Sequence, residues 1–332
     1  MSDDDALTKT GFLALCRILL HTDIMKLGAI HPAVSLLPVM GIALQAQQSD
    51  GSDRQRYTLA VPDHWASREP LRLRVDARAG DSVQIVIHVG ESADVLLSEL
   101  IVSQPGSAGM WDYEVHLHLQ AHARCQFASL QQLEAGIQPQ IHQHSTVGAN
   151  AKMQWHNTTL GGSHVNHVLR SEVRGADAIS SVDWIFYAKG TEKQRLSAVN
   201  AFLAPGGGGE VTMKGVAEQK GHTVCNGLIE IGPNGGRTGT YLTEEVLMLD
   251  STSMVDAIPG LEIKTNDVKA SHSATVSRVT EEDLFYFAAR GIDFVSARKM
   301  YVEGFLADLT ERIGDLQARR LVLEAIEAKY LV

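Results

Sequence analysis

Three stretches of the chain share one pattern that decides the fold: "AHARCQF" (121–127), "ANAKMQW" (149–155) and "ADAISSVDW" (176–184). Each begins with small residues and continues as a strand. The second alanines of the three stretches recur at a nearly constant interval: Ala123, Ala151 and Ala178. Apolar side chains follow two and four positions later in the first two stretches, whereas the third has Ser180 and then Val182. A fixed period in the twenties with strand patterning favours a β-solenoid, whose coils stack to bury their apolar faces.

The strand pattern extends well beyond these three repeats. From about Tyr57 the apolar residues alternate in steps of two, as in "SVQIVIHV" (82–89), and helix signals are scarce until about residue 280. The fold class is therefore mainly β, with a parallel β-solenoid (β-helix) core over residues 56–279. An ordinary β-sandwich is the alternative, although its turns fall every 8–12 residues and would not explain the repeat.

The C-terminal end of the chain carries helix signals instead. "TEED" from Thr280 is a capping box in its Asp form, and Gly291 is placed to end that helix. Asp293 can cap a second helix that Gly314 ends, and Asp315 begins a third. These signals predict a helical C-terminal domain over 280–332. Its helices would either cover the open end of the solenoid or present an apolar surface to a partner.

The N-terminal segment 1–55 is expected to be a short helical and linker segment. Residues 5–25 have an apolar helical face, and 46–56, "AQQSDGSDRQR", form a polar linker or loop. The apolar run 27–44 contains Pro32 and Pro38, so a buried packing segment is favoured over a membrane span.

Composition excludes several functions and indicates a compartment. The formal net charge of −10 disfavours nucleic acid as a partner. The acidic start "MSDDDALTKT" is unlike a secretory signal, and three scattered cysteines form no CxxC pair: Cys16, Cys125 and Cys225. We therefore expect a reducing cytosol, no disulfide framework and no membrane partner, and a complete zinc or four-cysteine iron–sulfur site cannot form from neighbouring thiols.

The fourteen histidines are the most conspicuous polar residues. Eight of them lie in or beside predicted strands: His116, His118, His122, His142, His144, His156, His164 and His167. An HxH pair on a strand puts both imidazoles on one face about 7 Å apart, which binds a metal if a third ligand faces them. A solvated polar strand face is the competing interpretation, and it is favoured because no carboxylate or cysteine keeps a fixed relation to either pair.

The sequence lacks the known motifs of an enzyme site. The glycine run "APGGGGE" (204–210) has neither the lysine nor the following helix of a phosphate-binding loop, so it predicts a flexible loop. No nucleophile elbow, HExxH, kinase or Walker motif occurs. We therefore expect that the chain is not an enzyme. A β-helix hydrolase or lyase that uses histidines or carboxylates in a groove is the less favoured alternative.

The segment 250–313 resembles the C-terminal core of the SufB/SufD family, the scaffold proteins of the SUF system of iron–sulfur cluster assembly. The resemblance is carried by "DVKASHSATV" (267–276), "EEDLFY" (281–286) and "RGI" (290–292). It implies a right-handed parallel β-helix with a helical C-terminal domain. It also implies pairing with a second SufB/SufD-type scaffold subunit, the same chain or a different one.

The resemblance further implies a partner ATPase. In the family a SufC-like ABC ATPase docks on the C-terminal helices, and it, not the scaffold, binds ATP. Its ATP-driven motion is expected to reshape the scaffold interface where a transient iron–sulfur cluster is built. The residues expected to contact it here are Leu284, Phe285, Arg290, Gly291, Tyr301 and Phe305.

One departure from the family pattern bears on the cluster. The family commonly reads DVK-C-SH, and here Ala270 replaces the cysteine, so that thiolate ligand is lost. The neighbouring His272 is retained, either as a cluster-assembly ligand or as a hydrogen-bonding residue at the subunit joint. Cys225 is a weaker ligand candidate, with buried apolar filler as its alternative. A degenerate scaffold that binds the ATPase but assembles no cluster is therefore the second hypothesis.

Overall fold

The structure is a computed structural model that describes residues 33–37, 42–47, 54–66 and 69–331. The helix expected over 5–25 lies outside the described residues. The strands are β1 (Val34–Leu36), β2 (Leu44–Gln47), β3 (Arg54–Val61), β4 (Leu71–Ala77), β5 (Ser82–Val89), β6 (Asp94–Ser103), β7 (Ala108–Leu119), β8 (Arg124–Leu133), β9 (Gly136–Val147), β10 (Lys152–Gly161), β11 (His164–Val173), β12 (Ile179–Gly190), β13 (Lys193–Phe202), β14 (Gly208–Gln219), β15 (His222–Ile231), β16 (Thr238–Met248), β17 (Met254–Ala257), β18 (Gly260–Ile263) and β19 (Val268–Arg278). The helices are α1 (Glu281–Ala288), α2 (Phe294–Glu311) and α3 (Leu316–Leu331).

From β3 to β16, successive strands of the chain alternate between two sheets. One sheet runs β1-β4-β6-β8-β10-β12-β14-β16-β19 and the other β17-β15-β13-β11-β9-β7-β5-β3-β2, with β18 also on β15. All pairs are parallel except those that attach β1 and β2. Each coil therefore contributes one strand to each sheet, as a β-solenoid requires, and the sandwich alternative is excluded. The polar stretch 46–56, expected as a linker, instead contributes residues to β2 and β3.

The corners between the sheets explain the sequence repeat. His122, Asn150 and Asp177 have left-handed backbones with φ between 56° and 61°. Each amide donates to a carbonyl one coil further on, at 2.8–2.9 Å. Asn, Asp and His tolerate this conformation better than other side chains. The alanine that follows each of them is buried to 1% exposure or less, because the chain turns inward there. The interval between the repeated alanines is thus the length of one coil.

The glycine run 204–210 is a further corner, so the loop prediction is confirmed for the turn at 204–207 and wrong for 208–210. Gly206 takes the left-handed position with φ of 75° and donates its amide to Gly236 O at 2.9 Å. Gly208 and Gly209 then open β14. A Cβ on Gly209 would lie 1.8 Å from the carbonyl oxygen of Ser180, so the neighbouring coil excludes any larger residue there.

The coil interior is apolar with a few buried polar groups. Large side chains stack within it: Trp111, Trp155, Trp184, Phe127 and Phe186. The carboxyl group of Glu99 is also inside, where the Tyr113 hydroxyl donates to it and the Ser129 hydroxyl donates at 2.8 Å. Burial raises the pKa of Glu99 to about 7. Below neutral pH, this carboxyl is therefore largely uncharged.

The histidines do not share one environment. His167 alternates in phase with buried Val165 and Leu169, so it lies in the interior, where its Nε2 is 3.0 Å from Gln143 Oε1. Burial lowers the pKa of His167 to about 3. His156 is buried on the outer face of its strand, with Nδ1 3.2 Å from Asp183 Oδ2. Neither belongs to an HxH pair; the histidines of the two pairs, for which a solvated strand face was favoured, are half-exposed or exposed on β7 and β9.

The C-terminal helices lie along the outer face of the nine-stranded sheet. Their cluster with that sheet includes Leu130, Ile185, Tyr187, Val216, Leu247, Val302, Leu306, Leu309, Val322 and Ile326. Thr280 and Asp293 cap α1 and α2 as predicted, and Gly291 has a φ of 78° after α1. The helices thus cover the outer face of this sheet, so the sheet is buried on both of its faces where they pack.

Ion pairs fix these helices at several coils. Asp315, before α3, accepts from Arg72 on β4 at 2.9 and 3.0 Å and from the Ser98 hydroxyl at 2.7 Å. At the other end of α3, Lys329 donates to Glu192 at 2.6 Å. Half-buried and buried pairs of this kind define position more than they add stability. Helix α3 is therefore held in one position along the solenoid.

The buried acid Glu99 predicts a pH-dependent stability. Because its pKa is raised in the folded chain, folding is favoured below its ordinary pKa of about 4.5, and this contribution is lost as the pH rises through about 7. Glu99→Gln removes the ionisation. We expect the difference in the free energy of unfolding between this variant and the unmodified chain to shift in favour of the variant by roughly 1–3 kcal/mol when the pH is raised from 5 to 8. Urea unfolding at both pH values measures this. Exposed Glu134→Gln is the control, and a pH-independent difference for Glu99→Gln would contradict the assignment.

Candidate functional site

The last coil of the solenoid ends in an exposed strand edge. Strand β19 pairs with β16 through eleven residues, from Val268 beside Thr238 to Arg278 beside Met248. In the described part of the chain no strand pairs with the other edge of β19. An edge of this length offers a row of backbone donors and acceptors to a further strand. The terminal coil is therefore a place where another chain can add.

The strand register determines which side chains occupy this end. His272 lies beside Leu242, and Ala270 lies beside Thr240. Leu242 is fully buried in the row that faces the solenoid interior, and in-register parallel strands keep that row on one face. His272 therefore continues the interior row, yet it is exposed because it lies on the terminal strand. Ala270, at the place of the family cysteine, is half-buried against the core.

Cys225 lies in the coil beneath this strand. Its Sγ is 3.9 Å from Glu244 Oε2 and 3.6 Å from the Asp256 carbonyl oxygen. Burial and the neighbouring Glu244 raise the pKa of Cys225 to about 12, so the thiol is protonated and a poor ligand in this conformation. Only a rearrangement of the last coils would make it available.

Glu244 is a polar residue of this end that the sequence analysis missed. It is fully buried, accepts the Gly227 amide at 2.6 Å, and has a pKa raised by burial to about 7. The alternation Leu242, Glu244, Val246 places it on an apolar row, and that pattern was a usable signal. In the interior row Glu244 pairs with Ala274, two positions after His272 on β19.

These groups do not form a finished metal centre within one chain. Among the described residues no three His, Cys, Asp or Glu side chains are arranged to hold a metal ion. His272 and Cys225 therefore remain predicted ligands. Further ligands for His272 would have to come from a second chain at the β19 edge or from movement of the last coils.

An apolar surface lies on α1 and the start of α2. Phe285 is 72% exposed and Tyr286 58% exposed, and the guanidinium carbon of Arg290 lies 3.6 Å from the centre of the Tyr286 ring. The start of α2 adds two further exposed apolar residues, Phe294 and Val295. We call these residues together, with Gly291 at the turn, the α1–α2 surface. Exposed aromatic side chains grouped with an arginine are typical of protein–protein contacts.

The other predicted contact residues lie deeper. Leu284 is 8% exposed and packs in the cluster between the helices and the sheet. Tyr301 and Phe305 are partly buried against the same cluster, and Lys214 Nζ lies 5.4 Å from the centre of the Phe305 ring. Their contact with a partner stays a prediction, and Phe285, Arg290 and Gly291 are the exposed members of the predicted set.

Comparison with known proteins gives one family. The family model described as "SUF system FeS cluster assembly, SufBD core domain" matches residues 73–305, more than half of the chain. The chain is 30% identical over 174 residues to the iron–sulfur cluster assembly protein SufD of Escherichia coli, covering 52% of this chain and 40% of that protein. It is 27% identical over 201 residues to an iron–sulfur cluster assembly SufBD family protein of Mycobacterium tuberculosis, covering 60% of this chain and 24% of that protein.

A third relative extends the comparison to another genus. The chain is 26% identical over 200 residues to an iron–sulfur cluster assembly SufBD family protein of Staphylococcus epidermidis, covering 60% of this chain and 43% of that protein. The matches thus span less than half of each relative's own length.

In the described residues no helix is long and apolar enough to cross a membrane.

The burial of Cys225 predicts slow alkylation. Because the thiol is inaccessible and its pKa is raised to about 12, we expect iodoacetamide to modify it at least roughly tenfold more slowly in the folded chain than in urea. Peptide mass spectrometry at pH 8 measures both rates. Cys125, buried with a pKa also raised to about 12, is the internal control. Rapid labelling of Cys225 alone would mean that the last coils open in the free chain.

Proposed function

The chain belongs to the SufBD core-domain family of iron–sulfur cluster assembly proteins, and on that premise we propose that it is a scaffold subunit of a cluster assembly complex. The proposed complex contains a second SufB/SufD-type chain and a SufC-like ABC ATPase, and it works in the cytosol. The cluster is the cargo of the complex rather than a resident cofactor. The chain itself binds no ATP and catalyses no hydrolysis.

The observation that carries this proposal is the position of His272 on the β19 edge. An interior-facing imidazole on an exposed terminal strand has its neighbours on one side only. A second solenoid that pairs with this edge would bring its own side chains to the other side. Neutral imidazole binds iron, and a joint between two chains could be opened and closed as a cluster is built and released. The proposed site thus belongs to the pair rather than to one chain.

The helices supply a route from a docked ATPase to this joint. Only Val279 and Thr280 separate β19 from α1, and the Val279 amide donates to Met248 O on β16 at 3.1 Å. On α2, Arg298 donates to Leu249 O at 3.2 Å, directly after β16. A partner that pulled on the α1–α2 surface would therefore act on β16 and β19, the last two strands of the nine-stranded sheet. We propose that ATP-driven motion of the partner reshapes the joint through these contacts.

A degenerate scaffold is the second candidate function, and Ala270 favours it. A methyl group at this position has no lone pair for iron, and no ligand set is complete in the described residues. In that case the chain would hold the ATPase and the second scaffold chain, whose residues would assemble the cluster. The two candidates share the partner surfaces and differ in whether His272 contributes to the cluster.

The ATPase contact predicts that the α1–α2 surface is required for copurification. We expect a SufC-like ATPase to copurify with the chain and to be retained at least tenfold less by the double variant Phe285→Asp, Tyr286→Asp. Truncating central aromatic contacts and burying a charge commonly costs about 2 kcal/mol or more, which is more than tenfold. Met110→Asp, at a residue 58% exposed on β7, is the matched control. Equal retention by the double variant would place the ATPase elsewhere, and no retention by the unmodified chain would remove the proposal.

The cluster role of His272 predicts a spectroscopic difference. After anaerobic reconstitution with iron and sulfide, together with the ATPase and the second scaffold chain, we expect a cluster absorption that His272→Ala abolishes or strongly weakens. The ATPase should still copurify, since the helices are unchanged. His164→Ala, at an exposed histidine of β11, is the control. A cluster unaffected by His272→Ala supports the degenerate scaffold and contradicts the ligand role.

A further inference from the structure

A group of histidines occupies the outer face of the ten-stranded sheet, away from His272. Their side chains lie on three neighbouring strands: His88 on β5, His116 and His118 on β7, and His144 on β9. We call these four residues the histidine patch. The strand register places His88 beside His118 and His116 beside His144. The HxH pair of β7 therefore has an imidazole next to each of its two members, which the sequence could not show.

The rings are close enough to act together. The ring centroids of His116 and His144 are 6.0 Å apart, and those of His88 and His118 are 5.2 Å apart. Within β7 the two histidines are about 7 Å apart along the strand. In the described residues no three side chains already converge on one metal position. The imidazoles are half-exposed or exposed and their terminal torsions are broad, so rotation can bring nitrogens of three rings together.

A side-chain oxygen lies within 3.6 Å of one ring nitrogen in each of three histidines. His118 Nδ1 is 2.9 Å from Thr146 Oγ1. His116 Nε2 is 3.5 Å from Glu114 Oε2, and His144 Nε2 is 3.6 Å from Glu172 Oε2. A histidine that binds a metal commonly has its other ring nitrogen oriented by such a partner. In each ring one nitrogen is thereby directed to the protein, while the second nitrogen can face a metal.

The two nearby carboxylates are already paired with arginines. Arg54 donates to Glu114 at 2.6 Å, and Arg170 and Arg174 donate to Glu172 at 2.8 and 2.6 Å. These pairs neutralise the carboxylates and leave them to orient the imidazoles rather than to bind the ion. The nitrogens of the patch are thus the available ligands.

We propose that the histidine patch binds one divalent first-row transition-metal ion, with His116, His118 and His144 as ligands and His88 completing or replacing one of them. Three imidazoles with a water suit the tetrahedral preference of Zn²⁺, and nitrogen sites of this kind also take Cu²⁺, Ni²⁺ and Fe²⁺. The site lies on the other sheet from β19, so it is separate from the proposed cluster joint and does not depend on it.

Titration calorimetry with Zn²⁺ on the metal-stripped full chain at pH 7.5 tests this site. We expect one saturable equivalent whose affinity falls at least tenfold in the double variant His116→Gln, His144→Gln. His164→Gln, on the same sheet at the start of β11, should bind as the unmodified chain does. Both variants should keep the far-ultraviolet circular dichroism of the unmodified chain, because the replaced side chains lie on the outer face.

A second measurement identifies the ligands. With Co²⁺ in place of Zn²⁺, intense visible d–d bands typical of tetrahedral coordination should appear in the unmodified chain and be lost in the double variant. No saturable binding of Zn²⁺ to the unmodified chain would overturn the proposal. Equal affinity in the double variant, or equal weakening by His164→Gln, would overturn it as well, since the ion would then be held elsewhere.

Discussion

The whole molecule depends on the backbone hydrogen bonds that join each coil to the next. Parallel strands in register fix which residues share a row, and the left-handed corner residues keep every coil close to the same length. His122, Asn150 and Asp177 illustrate this, since each donates its amide to the following coil. Once that ladder is set, interior rows, outer rows and the terminal edge follow from position in the coil. The location of His272, of Glu244 and of the histidine patch is a consequence of this one constraint.

The sequence predicts the features that are local or periodic. The alanine corners, the strand alternation and the caps at Thr280 and Asp293 are each encoded within a few residues, so they could be read from the chain and are confirmed. The family is confirmed as well, because its motifs lie in consecutive order over some tens of residues.

Features that depend on contacts between distant coils could not be predicted in the same way. His156 is buried beside Asp183, which accepts at 2.8 Å from Arg312, a residue more than a hundred positions further along the chain. His116 and His144 are neighbours because they are separated by the length of one coil. Only the strand register shows this. The sequence likewise left open whether the helices would cover the solenoid end or present an apolar surface to a partner. It did not indicate that they lie along a sheet face, which only the packing of Val302 and its neighbours shows.

The two-ended attachment of α3 also sets a limit on how the molecule can change in evolution. One end is held at Arg72 on β4 and the other at Glu192 after β12, so the helix measures a set number of coils. Inserting or deleting a coil between them would displace one anchor by about 4.8 Å, beyond the reach of a hydrogen bond. A solenoid normally gains and loses repeats readily. Here α3 fixes the number of coils between its two attachment points. Adding or removing a coil would therefore require a compensating change in the length of α3 of about three residues.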